Sequence, residues 1–273
     1  MMNDVFERTW GERAGVRPET DYWPTVIAAI KEHHPDFVFA AEAYWDLEYA
    51  LQQQGFDYCY DKSLYHRLEH EDAESVHGHL SGDTGYQRKL VRFLENHDEP
   101  RAAATFPPAK ARAAAVLTLG QTGAKLVHEG QLEGRKVRVP VFLARRPDEE
   151  PDADLHSFYK RLLSALGDGV FRTGTWALGG RMGWEGNETW RNLITWGWRD
   201  DAPRKLVVVN LGDAPASGQV SLPWDDLRGR TWRLDDAASG ETYDRAGDDL
   251  RNGLYVALDS WGWHLFDLKP LEE

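Results

Sequence analysis

The sequence is poor in cysteine and in positive charge. Cys59 is the one cysteine among 273 residues, so no internal disulfide can form and stability must come from packing. Acidic residues outnumber basic ones by 45 to 32, for a net charge of -13. That balance argues against a nucleic-acid or anionic-membrane partner, since both favour basic patches. No run approaches the roughly 18 apolar residues of a membrane-spanning helix. Met1 to Trp10 has neither the basic n-region nor the apolar h-region of a secretory leader. As given, the chain reads as soluble and cytoplasmic.

What the sequence does have is tryptophan, unevenly placed. Nine of its twelve tryptophans, Trp176 to Trp263, fall in the last hundred residues, so composition shifts near residue 170. Apolar residues make up 41% of the chain, enough for a packed core.

Before that shift, helix and strand alternate. Asp21 is placed to cap a helix in which Trp23, Val26, Ile27 and Ile30 recur at helical spacing, ending before Pro35. Phe37 to Ala41 is a wholly apolar run, the pattern of a strand buried on both faces. Asp46 and Gly55 bracket a short helix. Further strands are expected at Phe56 to Tyr60, Leu90 to Leu94 and Ala124 to Val127, with polar helical sequence over most of 63–89 and Ala-rich helix at Lys110 to Leu119. Leu155, Phe158, Leu162, Leu163 and Leu166 form one apolar helical stripe. Each strand runs into polar or ionisable residues. This rhythm predicts a parallel sheet with helices outside it, its chemistry at the C-terminal strand ends as in (β/α)₈ barrels. After Phe171, six strand-like runs between Asn192 and Phe266 are separated by Gly, Pro and Asp turns, with no intervening helix in the reading, which predicts an antiparallel sandwich.

Two strand ends carry the chemistry. In Phe37-Val38-Phe39-Ala40-Ala41-Glu42-Ala43-Tyr44-Trp45-Asp46, a carboxyl group follows a dry strand beside aromatic rings. Apolar surroundings disfavour a charged carboxylate, which suits a general acid. The plainer alternative is a helix-capping or ion-paired Glu42. In Phe93-Leu94-Glu95-Asn96-His97-Asp98-Glu99-Pro100-Arg101, a carboxylate at Asp98 is placed to stabilise an oxocarbenium-like transition state, with Asn96 and His97 bonding sugar hydroxyls. Its plainer alternative is an Asx-type turn with a rim ion pair to Arg101.

Together the two segments resemble signature regions of the α-amylase superfamily, glycoside hydrolase family 13. The resemblance implies that Glu42 is the general acid/base and Asp98 the transition-state stabiliser. It implies substrate contacts from Asn96, His97, Trp45, Tyr44 and Arg101. Gly55 to Tyr65 is similar to the segment around that family's strand 6, and His128-Glu129-Gly130-Gln131 to its strand 8 loop. The fold class implied is α/β: the C-terminal half of a (β/α)₈ TIM barrel over 1–170, then an all-β antiparallel sandwich over 171–273. The activity implied is a retaining α-glycoside hydrolase or transglycosylase acting on α-glucans or α-glucosides, with no cofactor and no metal.

One departure stands out. The family's nucleophile is an aspartate in a Gly-Phe-Arg-x-Asp type of segment, and none occurs here. Barrel strands 1 to 4 are expected to be missing, which makes the N-terminal half of the barrel a partner and leaves the chain alone close to inert. A non-catalytic carbohydrate-binding role is the alternative. His66, His70, His77 and His79 among nearby carboxylates allow a metal-site reading, against which a solvated helix face stands as the plainer one. Trp196 and Trp198 read as sandwich core before sugar platforms, and Cys59 as an inert buried thiol.

Overall fold

The computed structural model describes residues 13, 19–44, 46–142, 145–201 and 203–271. The first half alternates as its sequence pattern requires. Helix α1 (Tyr22–His33) precedes β1 (Ala40–Ala41), and α2 (Glu48–Gln53) precedes β2 (Tyr58–Tyr60). Three helices, α3 (Lys62–His70), α4 (Ala73–Leu80) and α5 (Thr84–Arg88), lead to β3 (Leu90–Arg92). Helices α6 (Ala102–Thr105) and α7 (Pro108–Gly120) lead to β4 (Ala124–Lys125). The four strands form one sheet in sequence order, and every pairing is parallel. Among the described residues β1 and β4 are paired on one side only.

Local chemistry explains the helix starts. Asp61, Asp72 and Asp83 each accept a bond from a backbone N–H three residues on, satisfying a donor that the first helical turn leaves unpaired. Two expected caps are different. Asp21 sits at the N-terminal position of α1, but its carboxylate accepts from the Gln54 side chain at 2.9 Å instead of capping. Asp46 has φ 59°, and Leu47 occupies the cap position of α2. The first strand is also shorter than its apolar run. Phe37 and Val38 are 53% and 58% exposed, and only Ala40 and Ala41 pair. The run was apolar enough for a doubly covered strand, but here it forms the sheet's outer margin.

Helices α8 (Ala153–Leu166) and α9 (Val170–Thr173) lead into the β-rich half. Its strands are β5 (Thr175–Leu178), β6 (Arg181–Met182), β7 (Leu193–Arg199), β8 (Arg204–Asn210), β9 (Ala216–Val220), β10 (Thr231–Asp236), β11 (Thr242–Ala246), β12 (Leu254–Leu258) and β13 (Trp263–Pro270). They make a six-stranded sheet, β11-β10-β13-β8-β7-β5, and a three-stranded sheet, β12-β9-β6, all antiparallel. Leu193, Leu206 and Val208 from the first pack with Val220, Leu254 and Val256 from the second, giving a sandwich. A short helix, α10 (Gly247–Asn252), does intervene, contrary to the sequence reading. It lies between two strands, and only Gly247 and Leu250 are buried, too few positions to show a helical period.

The opposite face of the large sheet buries Ile194, Trp196, Trp198, Val207 and Val209 against α7 and α8, in one cluster that also holds Leu64, Phe93 and Leu117. At this seam the Gly120 carbonyl, at the end of α7, accepts from the indole N–H groups of both Trp196 and Trp198, at 2.9 and 2.8 Å. Trp196 and Trp198 are therefore core residues. No described helix is long and apolar enough to cross a membrane.

Candidate active site

The C-terminal ends of the parallel strands gather the polar groups. Glu42 follows β1 directly, Asp61 follows β2, Glu95 to Asp98 follow β3, and His128 and Glu129 follow β4. Glu42, His97 and Asp98 each offer a ligand atom, and these atoms lie within 4.8 Å of one another. His97 Nε2 is 3.6 Å from Glu42 Oε1 and 3.6 Å from Asp98 Oδ2, so the imidazole stands between two carboxylates. The Tyr44 hydroxyl donates to Glu42 Oε1 at 3.0 Å. Burial and that bond, with the Glu42 charge, push the phenol well above its ordinary range, so it acts as a donor.

This cleft is wetter than the sequence suggests. The Glu42 side chain is 37% exposed and Asp98 49% exposed, so the apolar surroundings expected around Glu42 are not observed. The reason is the one that shortens β1: the strand lies at the margin, and its carboxyl end opens to solvent. Trp45, expected beside it, lies outside the described residues.

Asn96 and Arg101 sit beneath the cleft instead of lining it. Asn96 is 1% exposed, and its Oδ1 accepts from the backbone N–H groups of Asp98 and Glu99, both at 2.9 Å. The Asx-type turn weighed for this segment is therefore present, and it fixes the backbone that carries Asp98. Its amide also lies beside the Tyr44 hydroxyl. Arg101 is buried and pairs with Glu95 at 3.2 Å, not with a rim carboxylate. Its guanidinium also donates to His128 Nδ1 and to the Glu129 carbonyl, both at 2.7 Å, which ties the β3 loop to the β4 loop.

Glu95 is the residue that the sequence reading passed over. Its side chain is 1% exposed, and Oε2 accepts from the Ala102 N–H at 2.6 Å. Burial pushes its carboxyl up to about 7, against the opposing pull of that bond and of Arg101. A charged residue inside the run Phe93-Leu94-Glu95 was the available signal. A second buried set lies below β2 and β3. Arg92 donates to Asp61 and Gln87, and His79 Nε2 lies 3.0 Å from Asp61 Oδ2. Burial, helped by Arg67, pushes His79 down to about 4, which leaves a neutral ring to donate to Asp61. Lys62 pairs with Glu99 and stands 4.8 Å over the Tyr65 ring.

The histidine-rich stretch forms no metal cluster among the described residues. His66 and His70 contact separate carboxylates, Glu71 and Glu69, while His79 is committed to Asp61. Among the described residues, the group spaced to hold one ion is Glu42, His97 and Asp98. Cys59 is fully buried, with its thiol pushed up to about 12 by burial, so it is inert as expected.

No protein-family model and no curated protein matches the sequence. Solved structures do match in shape. A noncanonic maltogenic alpha-amylase from Thermotoga neapolitana superposes with a TM-score of 0.70 at 18% identity, over 99% of this chain and 65% of its own. An Anoxybacillus alpha-amylase gives 0.69 at 14%, over 92% and 56%. The alpha-amylase of Geobacillus thermoleovorans, solved with acarbose, gives 0.69 at 14%, over 90% and 56%. The chain shares the fold of part of each of these α-amylases. It spans 56 to 65% of the length of these three α-amylases.

Proposed function

We propose that this chain supplies the acid/base side of a retaining α-glucosidase-type active site. In this reading residues 1–170 are half of a (β/α)₈ barrel, strands 5 to 8, and residues 171–273 are its C-terminal β domain. The observation that carries the reading is the convergence of Glu42, His97 and Asp98 within 4.8 Å, past the ends of β1 and β3. Two strand ends separated by one intervening strand bring an acid/base, a sugar-bonding imidazole and a fixed charge to one point, where barrel enzymes do their chemistry.

The roles follow from the contacts. Protonated Glu42 donates its proton to the glycosidic oxygen of an α-glucan or α-glucoside as the bond breaks. Tyr44, bonded to Glu42, keeps its carboxyl oriented. Asp98, held by the Asn96 turn, faces the developing positive charge of the sugar ring. His97 bonds a sugar hydroxyl and separates the two carboxylates. A bound sugar also covers the rim and displaces water from it. The attacking carboxylate comes from elsewhere, since no Gly-Phe-Arg-x-Asp segment occurs in these 273 residues. After the covalent intermediate forms, Glu42 takes a proton from water to release it.

The test is turnover of a maltooligosaccharide by the chain alone, and by the chain co-expressed with any coding sequence preceding Met1 in its genome. Activity only in the second case supports the reading. Full activity from the 273 residues alone places the nucleophile within them and overturns it.

A further inference from the structure

The β-rich half buries most of its large aromatics, including Trp176, Trp196, Trp198, Trp224 and Trp232. Two rings depart from this. Trp184 is 51% exposed and Tyr255 is 59% exposed. Their centroids are 6.2 Å apart and their planes are tilted by 32°. Both stand over the outer face of the three-stranded sheet, at one wall of a groove of about 950 Å³. Such a volume is at the upper end of the range of small-molecule sites.

The groove is built of unlike parts. Its lining includes the small residues Ser217 and Ala257, and also Trp261, Trp263 and His264. His264 is held rigidly. Its Nδ1 lies 2.7 Å from the buried Asp236 carboxylate, and its ring stacks on Phe266 with centroids 4.7 Å apart. Asp236 also accepts from the N–H groups of Ala238 and Leu265 and from the Ser239 hydroxyl. Burial pushes its carboxyl up, but the bonds from His264, Ser239 and Ala238 outweigh it and hold the group below the usual range. The lining holds one arginine, Arg112, and two carboxylates, Asp236 and Asp259, with the Asp236 carboxylate buried against His264. A concave site lined by ring faces and small residues, its Asp236 carboxylate buried and fully bonded, suits a ligand with flat apolar faces and polar edges. A pyranose chain is that ligand, since each ring offers an apolar face to an indole or phenol while its hydroxyls reach the rim.

We propose that Trp184 and Tyr255 form a second carbohydrate-binding site that takes a segment of neutral α-glucan along this groove. It shares no residue with the Glu42–Asp98 cleft. The choice of an α-linked glucan rests on the function proposed above, whereas the exposed aromatic pair and the groove do not depend on it.

The experiment is affinity electrophoresis of the whole chain in gels containing amylopectin, with maltoheptaose titrated by calorimetry. Four proteins are compared: wild type, Trp184→Ala, Tyr255→Ala, and a Glu42→Gln/Asp98→Asn double variant. Each ring loss should weaken binding about threefold to tenfold. The cleft variant, with both rings intact, should keep the groove's share of the binding. Both ring positions are exposed, so the urea midpoints of Trp184→Ala and Tyr255→Ala should stay at the wild-type value. Retardation unchanged in both ring variants overturns the proposal, as does a wild type that is not retarded at all. Binding lost only in the cleft variant also overturns it, and leaves the proposed function standing. Equal affinity for cellohexaose overturns the α-glucan assignment.

Discussion

Two buried residues near the candidate site titrate in opposite senses, and together they flatten the pH dependence of stability. Glu95 has an ordinary value of 4.5, raised to about 7 in the folded chain. The folded state holds its proton longer, so the Glu95 contribution falls as pH rises from 4.5 through 7. His79 has an ordinary value of 6.5, lowered to about 4. Its contribution is fully present above 6.5 and is lost as pH falls toward 4. Each shift corresponds to roughly 3 kcal/mol. Relative to wild type, Glu95→Gln should make the urea midpoint climb more steeply between pH 4 and 7, and His79→Gln should tilt it the other way. Parallel pH curves for wild type and both variants would show that neither group is linked to folding. In a completed enzyme, Glu42→Gln should lower kcat by about 10²–10⁴-fold, the usual range for general acid catalysis. Near-normal kcat on an unactivated α-glucoside would assign the proton transfer to another group. Glu42 was legible because it directly follows an apolar strand, and His97 and Asp98 because they stand together in the polar segment that follows the next strand but one. The Asn96 turn was among the alternatives the sequence offered, but the part of Arg101 was not legible, because its partners in the β4 loop lie 27 and 28 residues further along.

At the level of elements, the α7 terminus is the joint between the parallel sheet and the sandwich. A Cβ on Gly120 would come within 2.8 Å of Trp196 Cζ2, closer than real side-chain contacts allow. Gly120→Ala should therefore cost about 1–3 kcal/mol, as overpacking does. Equilibrium urea denaturation checks this: the midpoint should fall with the slope unchanged, and an unmoved midpoint would mean that the seam has slack. The order of the four parallel strands, and six of the nine strands of the second half, could be read from alternation and turn residues. Their lengths could not, since pairing depends on neighbours that a single run does not encode. Strand β11, whose residues are almost all exposed, shows no inward-outward alternation, and β6 is only two residues long.

For the whole molecule, the decisive fact is that one apolar cluster runs from Leu64 in α3 to Leu265 in β13. Neither half has a closed core of its own on that side. Thermal unfolding followed by far-ultraviolet dichroism and by tryptophan emission should give one coincident transition. Two separated transitions would show that the halves fold independently. The chain alone should also self-associate in size-exclusion chromatography as its concentration rises. Phe37 and Val38 beside β1, and Val141 and Phe142 beyond β4, leave apolar surface exposed. A strictly monomeric profile at all concentrations would count against this. The outer strands limit what such association becomes. Ala40–Ala41 and Ala124–Lys125 are only two residues long, whereas cross-β stacking draws on segments of about six or seven. A newcomer strand would gain one or two backbone bonds, each worth about 1 kcal/mol net. Neither margin can seed a growing fibril, so clusters of this chain should stay small, dissolve on dilution and bind no amyloid dye.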